Sequence, residues 1–381
     1  MTGRRFETDR GVRGKKKRAG TGQGGSVDRK DRIIKMTEAL VPWFRLCGRS
    51  LPWRKDPDPY HVWVSEIMLQ QTRIETVIPY YRRFLKEIPD IRALAEADPE
   101  QLQKLWEGLG YYSRVRNLQE AARQIIGRHG GRFPARYEDI RALRGIGDYT
   151  AGAIASICFQ LPVPAVDGNV LRVLSRITGD SRPVGDEKIK KEVREELAAC
   201  YPHKDAGILT EAIMELGEIV CIPNGTPDCG HCPCRDFCVS SGGGWEHFPV
   251  KAEKKARRCE QLTVLILQHA EGSSVKTALR KRPDKGLLAG LWELPNCPGH
   301  RSGPEASVLA EEWGCRPEGR MPAGSFRHIF THVEWEMQCW RILCGTEAPG
   351  FTWADETQLK QEISLPTAFR KILKEKDTTG K

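Results

Sequence analysis

The 381-residue chain predicts a mainly α-helical body followed by a smaller α+β domain. The length exceeds the roughly 250–300 residues that one core usually serves, so at least two domains are expected. Apolar residues recur at helix spacing from Arg32 to about Val220. After Cys238 the texture changes to runs and alternations that read as strands. Apolar residues make up 39% of the chain and charged residues 29%, which supplies real cores and excludes wholesale disorder.

In the first part, Ile33, Thr37, Leu40 and Phe44 fall on one helix face. Leu118, Ala122, Ile125 and His129 do likewise, as do Ile189, Val193 and Leu197. Pro89-Asp90, Asp98-Pro99, Gly130-Gly131 and Pro162 to Pro164 punctuate the helices and keep the loops short. Ser240 to Gly244 reads as a flexible break and Lys251 to Arg258 as a charged connector. Leu262 to Gln268 then reads as a buried strand. Trp335, Met337, Cys339, Arg341 and Leu343 alternate with Glu334, Glu336, Gln338, Trp340 and Ile342 at a period of two. Ala306 to Trp313 and Thr367 to Leu373 read as short helices. The expected plan is a basic tail at 1–30, a helical domain at 31–220 and a cysteine loop at 221–240. A linker at 241–258, the α+β domain at 259–373 and a tail at 374–381 follow.

The net charge of +10 is uneven. Residues 1–30 hold ten Lys and Arg against Glu7, Asp9 and Asp28, which is +7 and leaves +3 for all the rest. The basic balance therefore argues for a solvated arm more than for a nucleic-acid surface. No run approaches 18 apolar residues, and Met1 to Lys30 has no apolar stretch, so neither a membrane helix nor a secretory leader is expected. A cytoplasmic monomer is the expectation, associated with the nucleoid if bacterial. Thirteen cysteines without a leader argue against a disulfide scaffold. Five of them (Cys221, Cys229, Cys232, Cys234 and Cys238) crowd into eighteen residues and suggest a metal site.

Three strings carry chemistry. In Leu143 to Ala153 (LRGIGDYTAGA) a short helix runs into Gly145-Ile146-Gly147, and a second helix starts at Asp148. The glycines permit a tight turn, and the free N–H groups of the following helix can receive a phosphate. An ordinary helix corner would look the same at this level. Asp167, after the Pro162–Pro164 loop and before an apolar run, suits a helix N-cap. Glu66 sits among Val62, Val64, Ile67, Met68 and Leu69, where desolvation should raise its pKa toward that of a general acid. Cys221, Cys229, Cys232 and Cys238 could hold zinc or a 4Fe–4S cluster, and their spacing favours neither.

Taken together, these strings resemble the MutY-type adenine DNA glycosylases, helix-hairpin-helix enzymes of base-excision repair. The resemblance runs from about Arg32 to Leu373 and includes LPWR, SEIMLQQTR, GLGYYSRVRNL, LRGIGDYTAGA, VDGNVLRVLSR, EAIMELG and the cysteine array. It implies removal of adenine mispaired with 8-oxoguanine or guanine in double-stranded DNA, and a 4Fe–4S cluster on the four cysteines. The first gap of that array holds seven residues where the family commonly has six, and Cys234 is a spare thiol. Glu66 is implied as the acid that protonates adenine N7, and Asp167 as the stabiliser of the sugar cation, with Tyr149 and Asn169 holding it. Arg49, Leu51, Trp53, Arg54 and Glu211 are implied in the adenine pocket, and Gln71 and Tyr111 as wedges in the duplex. Gly145 and Gly147 would contact phosphate.

The C-terminal part resembles the Nudix-like domain of the same family, with Thr72, Phe330, Thr331 and His332 implied in reading 8-oxoguanine. A working Nudix hydrolase needs Arg-Glu where this chain has Ser307-Val308, so no pyrophosphohydrolase is expected despite Glu311-Glu312. Lyase members carry a Schiff-base Lys in the second hairpin helix. Tyr149 stands there, and no Lys occurs between Ala135 and Glu187, so the enzyme should stop at an abasic site. Competing readings are a pyrimidine-directed relative, a non-catalytic DNA-binding iron–sulfur protein and a nucleotide-pool Nudix hydrolase.

Overall fold

The computed structural model describes residues 28–251, 256–272 and 274–374, so most of the basic tail lies outside the described residues. Among the described residues, eleven α-helices form the first part. They are α1 (Arg29–Cys47), α2 (Pro59–Leu69), α3 (Ile74–Glu87), α4 (Ile91–Glu96), α5 (Pro99–Leu105), α6 (Ser113–His129), α7 (Tyr137–Arg141), α8 (Asp148–Phe159), α9 (Gly168–Thr178), α10 (Glu187–Ala198) and α11 (Ala206–Glu215). Most start on a side-chain cap. Asp28, Asp58, Asp90, Asp98, Asp167 and Asp186 each accept a backbone N–H in the first turn. Helix α1 takes in the last two residues of the expected tail, and Arg29 is tied to Asp180 and Glu196.

The helical body has two cores where the sequence suggested one domain. Residues 51–155 build the first around Trp63, Phe84, Trp106 and Leu118. Helix α1 and helices α9 to α11 build the second around Met36, Leu40, Val173 and Leu209. The chain thus leaves the second core after α1, completes the first, and returns. Cys234 is buried in the second core, so the cysteine loop is part of its packing. The expected linker is partly built in as well. Arg176 donates to the carbonyls of Trp245 and Phe248, and the guanidinium lies over the Trp245 ring.

The second part contains β1 (Arg258–Glu271), β2 (Ser274–Lys281), β3 (Trp292–Glu293), β4 (Asn296–Pro298), β5 (Pro317–Ile329), β6 (Val333–Cys344) and β7 (Thr352–Ala354). It also holds α12 (Gly303–Glu312), α13 (Glu356–Gln361) and α14 (Thr367–Lys374). The strands order as β3-β2-β1-β6-β5, with β4 pairing β1 and β7 pairing β2. Central β1 and β6 are parallel, from Arg258 opposite Val333 to Gln268 opposite Leu343. Strand β1 reads as a continuous apolar run because both its faces are covered. Leu262, Val264 and Ile266 face the core with α14, while Leu265 and Leu267 face the core with α12. The alternation read in β6 holds through Cys339 and then changes phase. Trp335, Met337 and Cys339 are buried on one face, whereas Ile342 and Cys344 are buried on the other and Leu343 is exposed.

The two parts are in contact. Leu291 joins the first helical core. Glu107 accepts from the Leu365 N–H and pairs with Arg370, and Lys104 donates to the Ile363 carbonyl.

Gly152 lets α8 lie against the loop that delivers Asp167. A Cβ there would stand 2.6 Å from the Pro164 carbonyl oxygen, a backbone atom that cannot rotate away. Gly152→Ala should therefore destabilise the fold by about 1–3 kcal/mol, read from the urea midpoint.

Candidate active site

A cavity of about 560 Å³ opens between the two helical cores. Glu66 on α2 and Tyr149 on α8 enter it from the first core. Asp167, Asn169 and Glu211 enter it from the second. Leu51, Trp53, Arg54, Gln71 and Thr72 complete the wall on one side, and Met214, Glu215 and Glu218 on the other.

Helix α2 is buried on nearly every face from Tyr60 to Met68, which leaves the Glu66 carboxyl group 5% exposed. Burial is the main cause that pushes its pKa up to about 7. A hydrogen bond from Tyr149 opposes the shift, the charges of Asp167 and Glu211 add to it, and Arg54 opposes it again. Asp167 caps α9, and its Oδ1 accepts from the N–H groups of Asn169 and Val170 at 2.9 Å each. Its Oδ2 accepts from Asn169 Nδ2 at 3.1 Å. Burial pushes the Asp167 pKa upward too, but these bonds and the positive Arg172 pull against it. The N-cap role foreseen from sequence is real, and the same side chain lines the cavity.

Arg172 is buried and links Asp167 to the cysteine loop. It donates to Asn169 Oδ1 at 2.8 Å, to the Gly217 carbonyl at 2.8 Å and to the Cys221 carbonyl at 3.0 Å. The backbone from Leu216 to Val220, which contains Gly217 and ends just before Cys221, forms a π-helical turn.

Arg54 pairs with Glu211 at 3.3 Å and with Glu215 at 2.9 Å, and lies over the Phe44 ring. Arg49 is not in the cavity wall. Its guanidinium is committed to Glu215 behind the wall, at 2.6 and 3.1 Å. Glu215 is fully buried and also accepts the Arg49 N–H. Sequence reading missed Glu215. Its signal was its place one turn after Glu211 on an apolar helix.

A second cavity, of about 970 Å³, lies where the helical and α+β parts meet. Phe330, Thr331 and His332 form the turn between β5 and β6 and line it, together with Gln71 and Tyr111. Thr331 Oγ1 and the Tyr111 hydroxyl are hydrogen-bonded at 2.9 Å across the domain boundary. Phe330 packs edge-on against Trp335 and His328. Thr72 is separate from this group and lines only the first cavity, whereas Gln71 borders both.

Gly145 and Gly147 sit in the hairpin between α7 and α8, away from both cavities. Gly145 has a φ of +78°, and a Cβ there would meet Asn117 at 2.6 Å. The four cysteines of the array line one cavity with Arg176, Ile177, Leu216, Val220 and Trp245, and Cys234 is outside it. Among the described residues no three His, Cys, Asp or Glu side chains converge as a single-ion site would need.

A family model for HhH-GPD superfamily base excision DNA repair proteins matches residues 64–199, and a NUDIX domain model matches residues 263–375. The adenine DNA glycosylase of Mus musculus is 34% identical over 402 residues, covering 88% of this chain and 76% of its own. The human enzyme of that name is 32% identical over 404 residues, covering 88% and 73%. The chain belongs to the adenine DNA glycosylase family. Its helical body also superposes on a thermostable thymine-DNA glycosylase with a TM-score of 0.52 at 25% identity, covering 56% of this chain and 99% of that one. The family carries the function: this chain is a DNA N-glycosylase of base-excision repair. No helix among the described residues is long and apolar enough to cross a membrane.

The raised pKa of Glu66 links stability to pH. In the unfolded chain the group ionises near 4.5, while in the folded protein it holds its proton to about 7. Its folding contribution is therefore most favourable at low pH and is lost as pH rises from 4.5 through 7. Glu66→Gln removes that penalty. The variant should be more stable than wild type at pH 8, by up to about 3 kcal/mol, and nearly equal at pH 4. Urea titrations at the two pH values check this.

Proposed function

We propose that the enzyme removes adenine paired with 8-oxoguanine or guanine in double-stranded DNA and stops at the abasic site. The observation that carries this is that Glu66 and Asp167 share one cavity and meet different environments in it. The adenine must leave the stack to reach them, at a cost of about a few kcal/mol. Leu51, Trp53 and Arg54 would line its pocket, Glu211 would accept from its amino edge, and Arg49 would support the wall through Glu215. Protonated Glu66 donates to adenine N7 and makes the base a leaving group. The deoxyribose develops positive charge at its anomeric carbon as the C–N bond breaks. Ionised Asp167, held by Asn169 and the first turn of α9, stabilises that charge. Tyr149 orients Glu66, and water completes the hydrolysis.

Tyr149 at the first turn of α8 also bears on the outcome after base loss. It is a phenol where a Schiff-base amine would be required, so no lyase step follows. Gln71 and Tyr111 would wedge the duplex. Phe330, Thr331 and His332 would read the opposing 8-oxoguanine in the second cavity. Gly145 and Gly147 would present hairpin N–H groups to a phosphate. The Nudix-like domain is assigned no hydrolase activity, since Ser307 and Val308 replace the Arg-Glu pair and Val308 is solvent-exposed. The assigned setting is a monomer acting on DNA in the cytoplasm.

Cys221, Cys229, Cys232 and Cys238 are assigned to a 4Fe–4S cluster. An all-sulfur donor set around one cavity is the set such a cluster takes. When bound, the cluster would brace the loop that follows the π turn. Arg176 approaches this set and donates to Cys221 Sγ at 3.4 Å.

Single-turnover adenine release from an A:8-oxoguanine duplex tests the proposal. Wild type should release adenine and give strand breaks only after alkali. Glu66→Gln and Asp167→Asn should each slow release by at least about a hundredfold. Breaks without alkali, or unchanged rates in the variants, would refute it. Cys238→Ser should lower bound iron and sulfide together, while zinc in the purified wild type would overturn the cluster assignment.

A further inference from the structure

Gln71 and Tyr111 are far apart in sequence, yet both are held in the left-handed backbone region. Their φ angles are +59° and +47°. Neither is a residue that adopts this region readily, so something must impose it. Gln71 follows the end of α2, and Tyr111 ends the Gly108–Gly110 loop before α6. The two loops share one guanidinium.

Arg114, in the first turn of α6, is 8% exposed. Its Nη1 donates to the carbonyls of Ile67, Met68 and Gln70 at 2.6, 3.1 and 2.8 Å. Its Nη2 donates to the carbonyls of Leu109 and Gly110 at 3.0 and 3.2 Å. The guanidinium also lies 5.4 Å from the Trp106 ring centroid and 5.6 Å from that of Tyr111. Trp106 Nε1 donates to the same Gly110 carbonyl at 3.1 Å. All five acceptors are backbone oxygens, and three of them end α2, where the helix dipole is negative. A planar fork suits such a task, because it fixes several acceptors in one plane.

We propose that Arg114 is a positioning residue that sets both wedge loops in one register, so that Gln71 and Tyr111 enter the duplex as a unit. This rests on the wedge reading of those two side chains given above. Burial in the absence of a carboxylate partner pushes the Arg114 pKa down to about 10, which leaves it charged at neutral pH. Among the described residues its Nε has no acceptor, so the site tolerates one unmet donor to keep the five contacts. Lysine could keep the charge but not the fork.

The test is a mutant cycle on the full chain with an A:8-oxoguanine duplex carrying 2-aminopurine beside the mismatch. Unstacking is read by fluorescence and adenine release by single turnover, with thermal melting as the check on folding. Arg114→Lys should lose about tenfold or more in both readouts, since small misplacement of a positioning group carries large rate losses. Hydrogen exchange should rise together in segments 67–72 and 108–112. In a Gln71→Ala, Tyr111→Ala background the same change should cost less than about threefold, because the residues it acts through are gone. A wild-type rate in Arg114→Lys, or the same tenfold loss in the alanine background, overturns the proposal. If the alanine pair itself unstacks the duplex as wild type does, the wedge reading fails and the proposal falls with it. Should Arg114→Lys not fold, Arg114→Gln, which keeps planar N–H donors, takes its place in the cycle.

Discussion

Burying the Glu66 carboxyl group in an otherwise apolar helix is unfavourable, and the surrounding architecture supports it. Helix α2 is enclosed by both its own apolar neighbours and α8, so water solvates the charge poorly. The group responds by holding its proton to about pH 7. A carboxylic acid that is protonated near neutrality is what departure of a purine base requires. The constraint also explains why Tyr149 and Arg54 stand nearby, since each moderates a shift that burial alone would drive further.

The second carboxyl group meets a different environment. Asp167 is also desolvated, but it caps α9 and accepts three hydrogen bonds from the first turn. Backbone N–H groups and the positive end of a helix favour its ionised form. Burial thus pushes both carboxyl groups in the cavity upward, and at Asp167 the helix cap and Arg172 oppose that push. Their meeting depends on the division of the helical body into two cores. The cavity is the seam between those cores, and the chain crosses it twice. Arg172 extends the arrangement from Asn169 to the cysteine loop, so the loop and the active site share a hydrogen-bonded frame.

Much of the fold was legible because local rules and tertiary packing agree. Periodic apolar positions and Pro and Gly punctuation marked the helices, and the hairpin string placed the start of α8 at Asp148. The α+β texture after Cys238 was legible for the same reason. Where local patterns are ambiguous the reading was incomplete. The alternation in β6 breaks at Arg341 because helices cover opposite faces of the sheet at its two ends. The segment at 241–250 has the composition of a linker, but Arg176 and Trp245 pin it to the second core.

The amino-acid sequence by itself determined the residue types proposed for the chemistry and the helix or loop that carries each. Glu66 in an apolar run, Asp167 before a helix and a phenol at Tyr149 follow from local patterns that depend only on neighbours in the chain. The tertiary structure alone decided which of these side chains face one another. It showed that Glu215 organises Arg49 and Arg54, that Thr331 meets Tyr111 across a domain boundary, and that Arg114 joins two loops. Each of those contacts spans more than one element. Its energy depends on burial and distance, quantities that a linear pattern does not encode.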